Sequence, residues 1–151
     1  MIFFADTSAL VKRYISETGS EYIRSLLATA DNFFYQSFIT SLEIASALYH
    51  RHRMNELSRE ELAVALQTYA VHSHTEYLLI PYSDTLLNRA GTLLAHHLLR
   101  SLDAIQLAAA LTLQKTFPPD ASPFTFLSAD DRLLAIARLE NLLTDNPNTH
   151  Q

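Results

Sequence analysis

Four short apolar runs rich in aromatic residues recur along the chain: IFFA (2–5), FFYQS (33–37), YLLIP (77–81) and FTFLS (124–128). Between and after them lie stretches with helical spacing of apolar residues, at 7–28 with a break near Gly19, 41–53, 58–74, 84–98, 101–116 and 130–139. Strands that read as continuous apolar runs are buried on both faces, which requires helices on either side of a parallel sheet. The alternation predicts a three-layer α/β/α fold. Its central, mostly parallel sheet has four strands, or five if NLLT (141–144) adds an edge.

Adjacent prolines in FPPDASP (117–123) cannot continue a helix, so that stretch reads as a loop. No repeat or linker divides the 151 residues, and a chain of this length buries roughly 68–70% of its unfolded surface. Residues 1–145 therefore read as one domain, with a frayed polar tail at 146–151. The most apolar stretch, LDAIQLAAALTL, is interrupted by Asp103 and Gln106 and is shorter than the roughly 20 residues of a membrane span. No positive residue precedes MIFFA, so it does not read as a secretory signal. The expected setting is the cytoplasm, with no membrane partner.

Several chemistries are excluded outright. With no Cys there is no disulfide, thiolate metal site or Cys nucleophile. With only Gly19 and Gly91 there is neither a G-x-G-x-x-G nor a P-loop, and no G-x-S-x-G elbow occurs. The histidines fall as His50 and His52, His72 and His74, His96 and His97, and His150. Neighbours one or two apart on a helix do not share a face, so they make no HExxH-type site. The net charge of −5 opposes nucleic acid as a whole-molecule partner, so any such role rests on a local site.

In a parallel sheet every strand ends at the same edge, where ligand sites gather. Asp6 ends the first run, Glu43 follows the second in FITSLEIASAL, Asp103 opens RSLDAIQLAAAL, and Asp130 follows the fourth in FLSADDRLLAIA. Each has a plain structural reading as well: Asp6 as a helix N-cap, TSLE (40–43) as a capping box, Asp103 in a first turn, SADD (128–131) as another cap. Asp103 strains that reading most. From Leu102 to Leu113 its helix has only Gln106 and Thr112 as further polar residues, so it should be buried, and a buried acid needs a partner. Two charges about 4 Å apart repel by about 4 kcal/mol at an effective dielectric near 20, whereas a helix N-terminus offsets only about 0.3–1 kcal/mol. If the four acids converge, protonation or a divalent cation must supply the rest. Oxygen ligands favour Mg²⁺ or Mn²⁺, which bridge to phosphate and so point to a phosphodiester substrate.

ADTSALVKRY, TSLEIASAL, RSLDAIQLAAAL and FLSADDRLLAIA together resemble the four acidic motifs of the PIN domain, and more narrowly of the VapC-type toxins of toxin–antitoxin pairs, in the same order and over nearly the whole chain. The resemblance implies a PIN-like ribonuclease that hydrolyses RNA with Mg²⁺ or Mn²⁺, often dimeric and often held inactive by an antitoxin. It assigns Asp6, Glu43, Asp103 and Asp130 to the acidic cluster as metal-holding and catalytic residues. Asp130 matches the Thr/Ser-x-Asp spacing better than Asp131, and Gln106 stands where the family often has His. Thr7 and Ser8 match hydroxyls that reach a metal water or a phosphate.

Lys12, Arg13, Arg100 and Arg132 lie within a few positions of the acids, where RNA phosphates could run, although a solvated helix face explains them slightly better. Tyr14 and Tyr49 read as base-stacking candidates or as core and interface aromatics. The apolar helices suggest a homodimer face. Two other readings remain: a non-catalytic PIN-like protein-binding module, and an aspartyl-phosphate receiver or phosphatase. Phosphatases of that kind want D-x-D where this chain has Asp6-Thr7-Ser8.

Overall fold

A computed structural model describes residues 1–118 and 122–150 of the chain. Among these, the strands β1 (Ile2–Ala5), β2 (Phe33–Ser37), β3 (Tyr77–Ile80), β4 (Phe124–Leu127) and β5 (Leu143–Asp145) form one sheet in the order β3-β2-β1-β4-β5. Every pairing is parallel. β1 lies at the centre, with Ile2 opposite both Phe33 and Phe124.

All four residues of β1 are buried because successive side chains point to opposite faces and both faces are covered. Ile2 and Phe4 enter a core with residues of α5 (Asp84–His96), α6 (Ser101–Gln114) and α7 (Asp131–Leu139). Phe3 and Ala5 enter the opposite core with α1 (Thr7–Leu10), α2 (Ser20–Leu27), α3 (Thr40–Arg53) and α4 (Arg59–Thr75). Aromatic pairs join the neighbouring strands, with Phe3 stacked on Phe34 at 5.0 Å and Phe4 on Phe126 at 5.8 Å. The three-layer α/β/α, PIN-like architecture is thus present, with all five strands.

α6 is buried on most sides, from Ala104 to Leu113, and its alanines 108 to 110 are wholly enclosed. Its apolar surface from Ala104 to Leu113 packs largely inside the chain, while Leu102 at its start is exposed. The expected helix over 7–28 is interrupted earlier than Gly19 alone suggests. α1 passes into a 3-10 turn (Val11–Arg13), and α2 begins only at Ser20, after Gly19 at φ 83°. Buried Lys12 reaches across the gap to Glu17 and to the carbonyl of Thr18, at 2.7 and 2.9 Å. The expected loop at 117–123 includes residues 119–121, which lie outside the described residues.

The described tail is not frayed, contrary to the sequence expectation. Asn146 and Pro147 are buried, Pro147–Thr149 form a 3-10 turn, and His150 stacks on Tyr22 with ring centroids 3.6 Å apart. A polar segment holds here through hydrogen bonds and an aromatic contact rather than through apolar burial.

The strand order reverses beside β1. The chain steps outward through β2 and β3, then returns across the sheet to β4 and β5. The carboxyl ends of β1 and β4 therefore flank the crevice where such sheets place ligands.

Candidate functional site

Asp6 begins at that crevice. Its N–H donates to Leu127 O at 2.9 Å, extending the β1–β4 ladder by one rung, and its carbonyl then accepts the first N–H groups of α1. The side chain caps α1 as expected. Oδ2 accepts from Ser8 N at 3.3 Å, from Ser8 Oγ at 2.6 Å and from Ser128 Oγ at 3.0 Å. Only 6% of the residue is exposed. Burial pushes its pKa up to about 6; the Ser8 and Ser128 hydroxyls oppose the rise and the charge of Glu43 adds to it.

The capping box suggested by TSLE does not form. The N-cap of α3 is Ile39, without a side-chain cap, and Thr40 already lies inside the helix. Glu43 instead turns inward, where Oε2 accepts from Thr7 Oγ1 at 2.7 Å and from Gln106 Nε2 at 2.6 Å. The same Nε2 also meets Thr7 Oγ1 at 3.0 Å and Thr40 Oγ1 at 3.2 Å, three acceptors for two hydrogens. Turning the amide over would set its carbonyl against the Glu43 carboxylate, which fixes the orientation. Gln106 Oε1, buried, meets no partner among the described residues.

Asp103 stands in the first turn of α6, half-buried. Burial raises its pKa, as does the charge of Asp130, while Arg100 and Arg132 oppose the rise. Among the described residues neither arginine makes an ion pair with Asp103; Arg132 Nε lies 3.8 Å from Asp130 Oδ1 instead. Asp130 is the N-cap of α7, with Oδ1 accepting from Arg132 N at 2.8 Å and Leu133 N at 3.3 Å. Arg100, Asp103, Asp130 and Arg132 line one cavity of about 230 Å³.

Among the four predicted acids, the charge of Glu43 acts on Asp6 and the charge of Asp130 acts on Asp103. Among the described residues no group of three or more His, Asp or Glu is arranged to hold a metal ion. The chemistry of the donors suits a hard divalent cation, since every one is an oxygen and the ionised form of buried Asp6 lacks a counter-charge.

Other candidates are committed elsewhere. Lys12 pairs with Glu17, and Arg13 with Glu76 and the Tyr77 hydroxyl, so neither faces a phosphate path; Arg100 and Arg132 remain beside the acids. Tyr14 is locked between Tyr77 and His72, while Tyr49 is exposed. His97 pairs with Glu140 and His150 with Asp145. A larger cavity, about 650 Å³ between the 3-10 turn after α1 and helices α3 and α4, contains none of the four acids. Sequence reasoning missed the roles of Ser128 and Gln106. Their only signals were the serine two residues before Asp130 and a lone amide on an apolar helix.

No family model matches the sequence, and no curated protein does. Solved structures do match in fold. FitAcB from Neisseria gonorrhoeae is similar with a TM-score of 0.67 and 15% identity over 100% of both chains. VapBC2 from Rickettsia felis, bound to a promoter DNA fragment, is similar at 0.65 and 16%, over 97% of this chain and 98% of that one. VapC20 of Mycobacterium tuberculosis, described as a sarcin-ricin loop cleaving toxin, is similar at 0.63 and 16%, over 88% and 93%. From its central five-stranded sheet to its covering helices, the chain has the PIN-like fold that it shares with the VapC-type toxins.

Proposed function

We propose that the chain is a metal-dependent endoribonuclease, the toxin of a toxin–antitoxin pair, in which Asp6, Glu43, Asp103 and Asp130 hold one or two Mg²⁺ or Mn²⁺ ions. The observation that carries the reading is the buried Asp6, its pKa raised to about 6 at the switch point of the sheet with a second carboxylate pressing on it. Capping α1 accounts for the carboxylate's hydrogen bonds but not for a second acid placed beside it. A cation that enters with the substrate turns the same arrangement into a binding site.

The ion supplies Lewis acidity at the scissile phosphate. The chain's own residues do the rest. Thr7 and Gln106 hold Glu43 in place, Ser8 and Ser128 hold Asp6, and Arg100 and Arg132 receive the flanking phosphates beside Asp103 and Asp130. The complexes among the similar structures support an antitoxin as partner. A cytoplasmic homodimer completes the proposal.

Asp6→Asn, Glu43→Gln, Asp103→Asn and Asp130→Asn should each abolish cleavage of RNA in Mg²⁺ or Mn²⁺ while the circular-dichroism spectrum stays native. Full activity in the Asp6 or Asp103 variant refutes the assignment. A second reading, a non-catalytic PIN-like binding module, draws on the absence of a three-carboxylate group among the described residues. Calorimetric titration with Mn²⁺ separates the two, since no heat at millimolar metal favours the module.

A further inference from the structure

Asp130 and Asp131 are adjacent at the start of α7, and both bear carboxylates. The structure gives them different neighbours. Asp130 caps the helix, and its charge is felt at Asp103. Asp131 is exposed, and its Oδ1 accepts from Nδ2 of Asn146 at 2.7 Å. Asn146 is 7% exposed and is the buried end of that contact.

Asn146 is itself fixed from several directions. Its Oδ1 accepts from Asn148 N at 2.9 Å. The next residue, Pro147, lies so close to Gly19 that a Cβ on the glycine would come within 2.5 Å of the proline carbonyl oxygen. On the other side, Asp145 accepts from the Tyr22 hydroxyl at 2.5 Å, contacts His150 Nε2 at 2.7 Å, and takes Ser128 N–H on its carbonyl at 3.2 Å. Ser128 in turn donates its hydroxyl to Asp6. The strap 145–150 is therefore built into the rim of the candidate site, and its one amide reaching α7 is spent on an exposed acid. The helix start does not require it, because Asp130 already caps α7.

We propose that Asn146 is a positioning residue of the active site: it holds Asp131 aside so that Asp130 is the single carboxylate α7 presents beside Asp103. The inference rests on the ribonuclease reading. A freed Asp131 adds negative charge at the ion, which binds the ion more tightly, and fills a coordination position that the substrate phosphate needs. Metal affinity and cleavage then move in opposite directions. Damage to the fold or to the ligands moves them together.

The test compares the parent chain with Asn146→Ala, Asp131→Ala and the double variant, by Mn²⁺ calorimetry and RNA cleavage, with thermal melting to confirm the fold. Asn146→Leu serves as a near-isosteric second variant, which loses both the donor to Asp131 and the acceptor for Asn148 N without adding charge. The expected result is tighter Mn²⁺ binding with cleavage reduced about tenfold in both Asn146 variants. Asp131→Ala, which breaks the same hydrogen bond without freeing a carboxylate, should behave as the parent, and the double variant should return to parental values. Parental behaviour of both Asn146 variants, weaker metal binding in them, or an Asp131→Ala defect equal to that of Asn146→Ala overturns the inference alone. A parent chain that neither binds Mn²⁺ nor cleaves RNA overturns the ribonuclease reading, and this inference with it.

Discussion

Replacing Asp6 by Asn should make the metal-free protein more stable at neutral pH while destroying its proposed activity. The carboxyl is raised from 3.8 to about 6, chiefly by burial, so at pH 8 the folded state holds an ionised group that it disfavours. Two pKa units correspond to about 3 kcal/mol. The folded chain binds the Asp6 proton more tightly than the unfolded chain does. This contribution is therefore fully present below about pH 4 and is lost as pH rises through 6. The Asn side chain is neutral at every pH and keeps an acceptor for Ser8 and Ser128. Refitting its amide hydrogens costs about 1 kcal/mol, comparable to one hydrogen bond. The net gain is about 2 kcal/mol at pH 8, a rise in Tm of about 4–8 °C for a chain of this size. Below pH 4 the gain gives way to a loss of about 1 kcal/mol, the cost of the refitted amide. Mn²⁺ should reverse the order by stabilising only the parent, by roughly 2.7 kcal/mol at a hundredfold excess over Kd. Differential scanning calorimetry at pH 4, 6 and 8, with and without Mn²⁺, checks this. An Asn variant no more stable than the parent at pH 8, or equally stabilised at pH 4 and 8, would show that Asp6 is not a strained acid.

Gly19→Ala meets both a positive φ and the Pro147 carbonyl, and should cost about 1–3 kcal/mol in urea unfolding, with faster proteolysis of the last residues. Phe126→Ala, at a wholly buried ring stacked on Phe4, should cost about 3–5 kcal/mol. Gln106→Met removes a donor that orients Glu43 together with a buried oxygen lacking a partner. Cleavage should fall about 10–100-fold while Tm changes little, and a fall in Tm without loss of cleavage would assign Gln106 to the core instead.

The strands were legible because two-sided burial leaves a clear mark: IFFA is wholly apolar, and FTFL has Thr125 as its one polar residue. The helices were legible from the same periodicity, and the strand ends placed Asp6 and Asp130 at one rim. Chemistry was harder to read. A capping signature and an inward-facing acid look alike in TSLE, and only the turn of Glu43 toward Gln106, 63 residues away, removes the cap. Where Asp103 and Asp130 stand relative to each other depends on how α6 and α7 settle against the sheet, which no local pattern encodes. The tail failed for a related reason. Fraying was inferred from polarity, whereas His150 and Asp145 are held by Tyr22, more than a hundred residues earlier.

The central place of β1 governs how the molecule comes into being. Its first neighbour, β2, leaves the ribosome early, but β4 arrives only at residue 124, and the β1–β4 ladder joins positions about 122 apart. A nascent polypeptide released before that point carries Asp6 and Glu43 on a sheet with one bare flank, and without Asp130. Long-range parallel pairing of this kind forms late. Translation itself thus imposes a delay, during which the β1 edge that β4 later covers stays unpaired.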